Sequence, residues 1–297
     1  MYFVVDFITD VLKICALIYI ATFCVSLIQD KFAPEKIRDF VKGKNPWLGY
    51  LVAVGMGTFT PFCSCSSIPV FIGFLAAGVP LGISMAFLIS SPLISEIALA
   101  ILVSFPENGL YLASVYIISG SIISILGGWI CDRFGFNQDI IFQFPKRIYM
   151  ERNITLQPVS SIYSCLYSAH FYALQTLKNI SIYVVISVMI GLCFQFFVPE
   201  DFISDYFQGK NWWEIPLATI VGIPLYANHG ALMPFIESLL EKDVSTGTCI
   251  TILMSATALS LPEIILLKKI FDFKLLSFFI LWLAISFVVT GLFLNNL

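Results

Sequence analysis

Six stretches of this chain run for about 20 residues with scarcely a charge, at about 7–28, 82–105, 109–131, 179–198, 245–267 and 275–295. A helix rises 1.5 Å per residue, so each is about long enough to cross roughly 30 Å of hydrocarbon. Two further apolar regions, 47–79 and 213–240, are each interrupted by a polar patch edged with proline. Their pieces, about 15 and about 12 residues, reach only about 18–23 Å. Each region therefore predicts a re-entrant helical hairpin or a pair of short broken helices, with its break near the bilayer midplane. Composition points the same way: 59% of residues are apolar and 12% charged, and a soluble domain of this length needs more surface charge than 16 Lys+Arg and 19 Asp+Glu supply. The expected fold is an all-α polytopic membrane protein, with the lipid bilayer as its first partner.

A net charge of −3 and a pI near 5.4 leave no cationic face, and no run of Lys and Arg interleaves with aromatics, which excludes nucleic acid as a partner. The opening MYFVVDFITD has no basic segment before its apolar run, so it is expected to be a retained first span. Six of the eight cysteines fall singly, mostly in apolar runs, as small core residues do; Cys63 and Cys65 alone make a pair.

Basic residues gather in three connections: Lys31 to Lys44, Arg133 to Arg152, and Lys268, Lys269 and Lys274. The positive-inside tendency assigns these to the cytoplasm, and the acidic or neutral connections to the outside. Tyr163, Tyr167, Phe171, Leu174 and Leu177 share one helical face and predict an interfacial helix over 160–178. The hydrophilic stretch 132–160 divides the chain into a first transmembrane repeat, 1–131, and a second, 161–297.

These halves resemble each other. Pro69 pairs with Pro234, Val79 with Val244 and Gly82 with Gly247 at one constant offset, which also lays Cys63 over Asn228. The first interrupted region leaves a basic loop and the second an acidic one, so the repeats are expected to be inverted. Inverted repeats with broken helices meeting at the midplane are a secondary-transporter design.

The first patch reads Thr60-Pro61-Phe62-Cys63-Ser64-Cys65-Ser66-Ser67-Ile68-Pro69. Proline biases the residue before it toward extended backbone, and in an extended stretch alternate residues face one way. Cys63 and Cys65 are then expected to turn both sulfurs to one ligand; Ser64 and Ser66, on the opposite side of such a stretch, are further candidate lining residues of the break. Thiolates favour soft ions such as Cu(I), and trivalent arsenic is thiophilic on the same grounds. In the second patch Tyr226, Asn228 and His229 supply a phenol, an amide and an imidazole. Glu96, deep in the apolar stretch 82–105, is a candidate for proton coupling, because a carboxylate at that depth costs about 2.5–3.5 kcal/mol on insertion scales. Glu263 follows Pro262 near Lys268 and Lys269, where a structural ion pair and a coupling role are both open.

The segments TPFCSCSSIPVFIGFLAAGVPLGISMAFLISSPLISE, GIPLYANHGALMPFIESLL and ALSLPEIILLKK together resemble the predicted permease family that includes the organoarsenical efflux permeases. The resemblance implies a bacterial inner-membrane permease, with efflux of trivalent organoarsenicals in characterised members and copper or zinc export proposed for a related branch. It matches Cys63 and Cys65 to the family's Cys-x-Cys, Tyr226 and Asn228 to its Tyr-x-Asn, and Glu263 to its Leu-Pro-Glu.

The function expected is alternating-access transport of a small soft solute around Cys63 and Cys65, the same pair being the candidate metal ligands of a Cu/Zn exporter. A membrane thiol oxidoreductase using the two thiols is the rival, but such enzymes usually carry Cys-x-x-Cys at a helix start. No enzyme activity is expected, no motif calls for a cofactor, and none speaks to oligomeric state.

Overall fold

The computed structural model describes residues 46–59, 64–76, 78–94, 109–136, 213–223 and 244–295 continuously, with isolated residues and short pieces within 9–23, 99–103, 166–189 and 236–239. The described residues are almost wholly helical and contain no strand. In chain order the continuous helices are α1 (Pro46–Phe59), α2 (Ser64–Ala76), α3 (Leu81–Leu93), α4 (Gly109–Phe134), α5 (Glu214–Gly222), α6 (Thr246–Ala258), α7 (Leu261–Leu267) and α8 (Phe273–Asn295).

α4 and α8, of 26 and 23 residues, are long and apolar enough to cross a bilayer, as the runs at 109–131 and 275–295 predict. Each buries one stripe and leaves residues such as Ile118, Ile122, Leu281 and Ile285 exposed, the pattern of a helix with a lipid-facing side. α3 and α6 differ in kind. Every residue of α3 is buried, and so is every residue of α6 after its first. A helix apolar all round belongs in the middle of the protein.

One expectation needs correction here. The run at 82–105 is not one helix: α3 stops at Leu93, and Ile94 leaves helical geometry with φ −105° and ψ 77°. The run at 245–267 holds as an apolar stretch long enough to cross a bilayer, Thr246–Leu267, but it bends at Leu259, with φ −136° and ψ 29°, before α7 starts from extended Ser260. Thirteen residues make about 20 Å of helix, so α3 and α6 end inside the molecule. Both stops are closed the same way. The Ile94 amide donates to the Ser90 carbonyl (2.9 Å) and the Leu259 amide to the Ser255 carbonyl (3.0 Å).

Small residues let these helices approach closely. α1 and α4 flank α3, while α5 and α8 flank α6. Gly57 of α1 lies against Ser90 and the Phe87 carbonyl, and Gly222 of α5 lies against Ser255 and the Ile252 carbonyl. At the other end of α3, Gly82 stands backbone to backbone with Gly128 of α4, and at the start of α6, Gly247 stands in the same way against Gly291 of α8. The Gly82 amide donates to Asp132 Oδ1 (2.8 Å) and the Gly247 amide to Asn295 Oδ1 (2.9 Å). Gly57, Ser90 and Gly82 are related to Gly222, Ser255 and Gly247 by one offset, so the two helix triplets share these glycine contacts. Lipid is as apolar as a leucine side chain, so such packing and interhelical hydrogen bonds, rather than expulsion of water, hold membrane helices together.

The triplets meet through α3 on α6 and α4 on α8, and beside them α2 packs on α7. Trp282 Nε1 of α8 donates to the Ile123 carbonyl of α4 (3.1 Å), and the Phe71 and Phe271 rings meet edge to face at 5.6 Å. Outside the triplets, the described residues between 166 and 178 are helical. Tyr167, Phe171 and Leu174 of the expected face are exposed on one side and Ala169 and Ala173 buried on the other, whereas Leu177 packs partly against the core and Tyr163 lies outside the described residues. The interval 137–160 lies outside the described residues.

Candidate functional site

α1 ends at Phe59 and α2 begins at Ser64, and the upstream part of the first polar patch, residues 60–63, lies outside the described residues. The downstream half of the patch is not extended. Ser64, Cys65 and Ser66 form the first turn of α2, and Ile68 and Pro69 continue the helix. The expectation that Cys63 and Cys65 alternate along extended backbone is therefore corrected. Proline's fixed φ near −65° is itself helical, and Ser67 to Ile72 are all buried, so packing outweighs the missing hydrogen bond. One consequence remains at the patch: Pro69 has no N–H to give the Cys65 carbonyl, which lacks its usual intrahelical donor. Cys63, Glu96, Tyr226, Asn228 and His229 lie outside the described residues, as do the side chains of Ser64, Cys65 and Ser66.

Tertiary structure joins two of the sequence motifs. α2, which starts with Ser64 and Cys65, packs against α7, which carries Glu263. Glu263 is fully buried, whereas Lys268 and Lys269 are exposed. It sits in the first turn of α7, where the aligned N–H groups favour negative charge. The short α7 is tied to the second triplet by the Leu261 amide, which donates to the Ile223 carbonyl at the end of α5 (3.0 Å).

Residues absent from the sequence reading surround the helix ends. Ser90, Ser91, Ser255, Thr257 and Ser260 are buried near the stops of α3 and α6. Tyr116 of α4 is wholly buried, and its hydroxyl donates to the Leu93 carbonyl, the last of α3. The Thr257 hydroxyl of α6 donates to the Leu253 and Met254 carbonyls of its own helix, and α6 packs against α3. Glu214, in the first turn of α5, is a second buried carboxylate. An acidic residue two positions before Pro216, heading an apolar run, is a helix-start signal that could have marked it.

Among the described residues no group of three His, Cys, Asp or Glu could hold a metal ion. Cys131 and Cys249 are buried free thiols, far apart in sequence and each inside its own helix.

Comparison with known proteins agrees with this architecture. Residues 3–296 match the ArsP_1 family, described as a predicted permease. The chain is 24% identical to the UPF0718 protein YcgR of Bacillus subtilis, covering 96% of each protein. It is 20% identical to the UPF0718 protein MJ0584 of Methanocaldococcus jannaschii, over 82% of this chain and 80% of that one. No solved structure matches. With nearly its whole length matched and its long apolar helices in place, this multi-pass membrane protein belongs to the ArsP_1 predicted permease family.

Proposed function

We propose that this permease exports a small soft solute, foremost a trivalent arsenical or organoarsenical, across the bacterial plasma membrane by alternating access between two inverted halves. The observation that carries the reading is the repeated triplet: α1, α3 and α4 make the same glycine contacts as α5, α6 and α8, and the central helix of each stops inside the protein. Two copies of one packing unit give two access states of similar energy, and interrupted helices put polar backbone where a solute has to be held.

The soft-solute part of the reading rests on chemistry at the first patch. Cys63 and Cys65 offer thiolates, Ser64 and Ser66 hydroxyls, and the Cys65 carbonyl stands without a helical donor. A thiolate beside a helix start is stabilised there and is the form that binds soft ions. Tyr226, Asn228 and His229 complete the site from the second half, and Glu96 and Glu263 carry coupling protons.

The test is survival and vesicle transport across a panel of trivalent arsenicals, antimonials, copper and zinc, comparing the wild type with Cys63→Ser plus Cys65→Ser. Resistance to trivalent arsenicals that disappears in the double variant supports the reading. Resistance unchanged by the double substitution removes the thiols from the site, and resistance to copper or zinc alone transfers the function to a metal-ion exporter. Thiols that cycle with an electron acceptor while no solute moves would make the protein an oxidoreductase instead.

A further inference from the structure

Tyr116 stands where the central helix of the first triplet ends. Its hydroxyl donates to the Leu93 carbonyl of α3, and α3 packs against α6. A helix end leaves carbonyls without intrahelical partners, and in a dry interior each needs a donor.

The repeat shows what is special here. Gly128 and Asp132 of α4 correspond to Gly291 and Asn295 of α8, because each pair contacts the first glycine of its central helix. Counting back along both helices from those contacts sets Tyr116 level with Phe279. The register holds along the way: Cys131 and Leu294, Ile123 and Ser286, and Gly120 and Leu283 fall level, and all but Ser286 are buried. Phe279 is itself buried, so the two positions share a ring of one size in one kind of place. They differ by an oxygen. The end of α3 receives a donor from its own flanking span, whereas the matching span of the second half presents a phenyl ring that can donate nothing. Packing is repeated, and this hydrogen bond is not.

We infer that Tyr116 is a positioning residue for transport, its hydroxyl acting as a latch that holds the end of α3 beside α6 in the state described here, and that the transport cycle passes through release of that latch. The inference rests on the alternating-access reading above and deepens it, since the end of α3 holds a buried hydrogen bond that Phe279 at the matching position cannot supply. A bond of that kind shifts a two-state population about fivefold.

The full chain in lipid nanodiscs, without solute, tests this by amide hydrogen exchange. Tyr116→Phe is expected to speed exchange of the Ile94 and Leu259 amides about fivefold, leaving the Gly82 and Gly247 amides at wild-type rates. Adding Phe279→Tyr supplies a donor from the opposite half and is expected to slow Leu259 again, but not Ile94. In proteoliposomes with methylarsenite as the probe solute, Tyr116→Phe changes the maximal rate about fivefold and leaves KM within about twofold. Exchange unchanged at both amides overturns the inference, and so does a rise spread evenly over α3, α4 and α6, which marks a merely structural bond. A change confined to KM overturns it too, because it makes Tyr116 a solute contact. If Tyr116→Phe does not fold, Tyr116→Met removes the hydroxyl while keeping an adaptable apolar side chain; faster exchange at Ile94 supports the latch, and wild-type exchange there ends it. Should exchange respond as stated while no variant, nor the wild type, moves methylarsenite, the arsenical assignment fails and the latch stands.

Discussion

Gly82 and Gly128 stand backbone against backbone where α3 crosses α4, so that a side chain on either would begin inside the other's carbonyl group. The Gly82 amide is held by Asp132 one turn further along α4. Gly247, Gly291 and Asn295 repeat the arrangement between α6 and α8. Neither contact tolerates a methyl group without separating two helices along their length.

Gly128→Ala and Gly291→Ala are therefore expected to cost about 1–3 kcal/mol each, as overpacked cores do, read as a lower thermal midpoint in detergent. Gly55→Ala is the control. Nothing lies within 4 Å of a side chain placed there, and alanine is the better helix former by about 1 kcal/mol, so its midpoint should hold or rise. Equal losses at all three positions would refute the close-crossing account.

Asp132 does two things, accepting from the Gly82 amide and, through Oδ2, from the Tyr50 hydroxyl at 2.5 Å. Its counterpart Asn295 shows that an amide oxygen serves for the first. Asp132→Asn is expected to cost under about 1 kcal/mol, whereas Asp132→Leu strands both donors and costs about 2–3 kcal/mol. Chemical denaturation in mixed micelles separates the two values; a large loss in the Asn variant would mean that the charge itself matters.

Ser255 Oγ donates to the Thr219 carbonyl across the α5–α6 crossing at 2.7 Å. Interhelical bonds of this kind in membranes are worth about 0.6–2 kcal/mol. Ser255→Ala should fall in that range by steric-trapping or detergent unfolding. Ser114→Ala, which loses only a bond to its own helix on an exposed face, should be neutral.

The two buried carboxylates are expected to separate by function. Glu263 is carried on the helix that packs against the Cys65-bearing α2, while Glu214 begins α5. Glu263→Gln should leave folding near wild type and flatten the pH dependence of transport, since glutamine keeps the shape and cannot exchange a proton. Glu214→Gln should leave that dependence intact. Vesicle uptake across a pH series decides between them, and a pH profile unmoved by Glu263→Gln removes the coupling role.

Much of this architecture is legible in the chain itself, and the illegible parts have identifiable causes. The α4 and α8 spans follow from long apolar runs with hardly a charge. The stop after Ala258 had a signal in Ser260-Leu261-Pro262-Glu263, an N-cap type, a proline in the first helical turn and an acid in the same turn, but the surrounding apolar run reads across it. The stop after Leu93 is harder: Leu93 and Ile94 continue the apolar pattern. In the candidate site, the helical state of Ile68 and Pro69 is not readable, because a proline permits both helical and extended backbone and burial chooses. Tyr116 carries no local mark, since its partner is a carbonyl of another helix.

Hydropathy is a sum over neighbouring residues, each transferred to lipid on its own account, and so the chain alone determined that this protein lives in a membrane as helices and where the long spans α4 and α8 run. Where α3 and α6 end, which glycine meets which backbone, and why Tyr116 rather than Phe279 reaches a helix end were decided only in three dimensions. Those outcomes depend on the partner's surface and on where its donors lie, and no stretch of sequence contains its own partner.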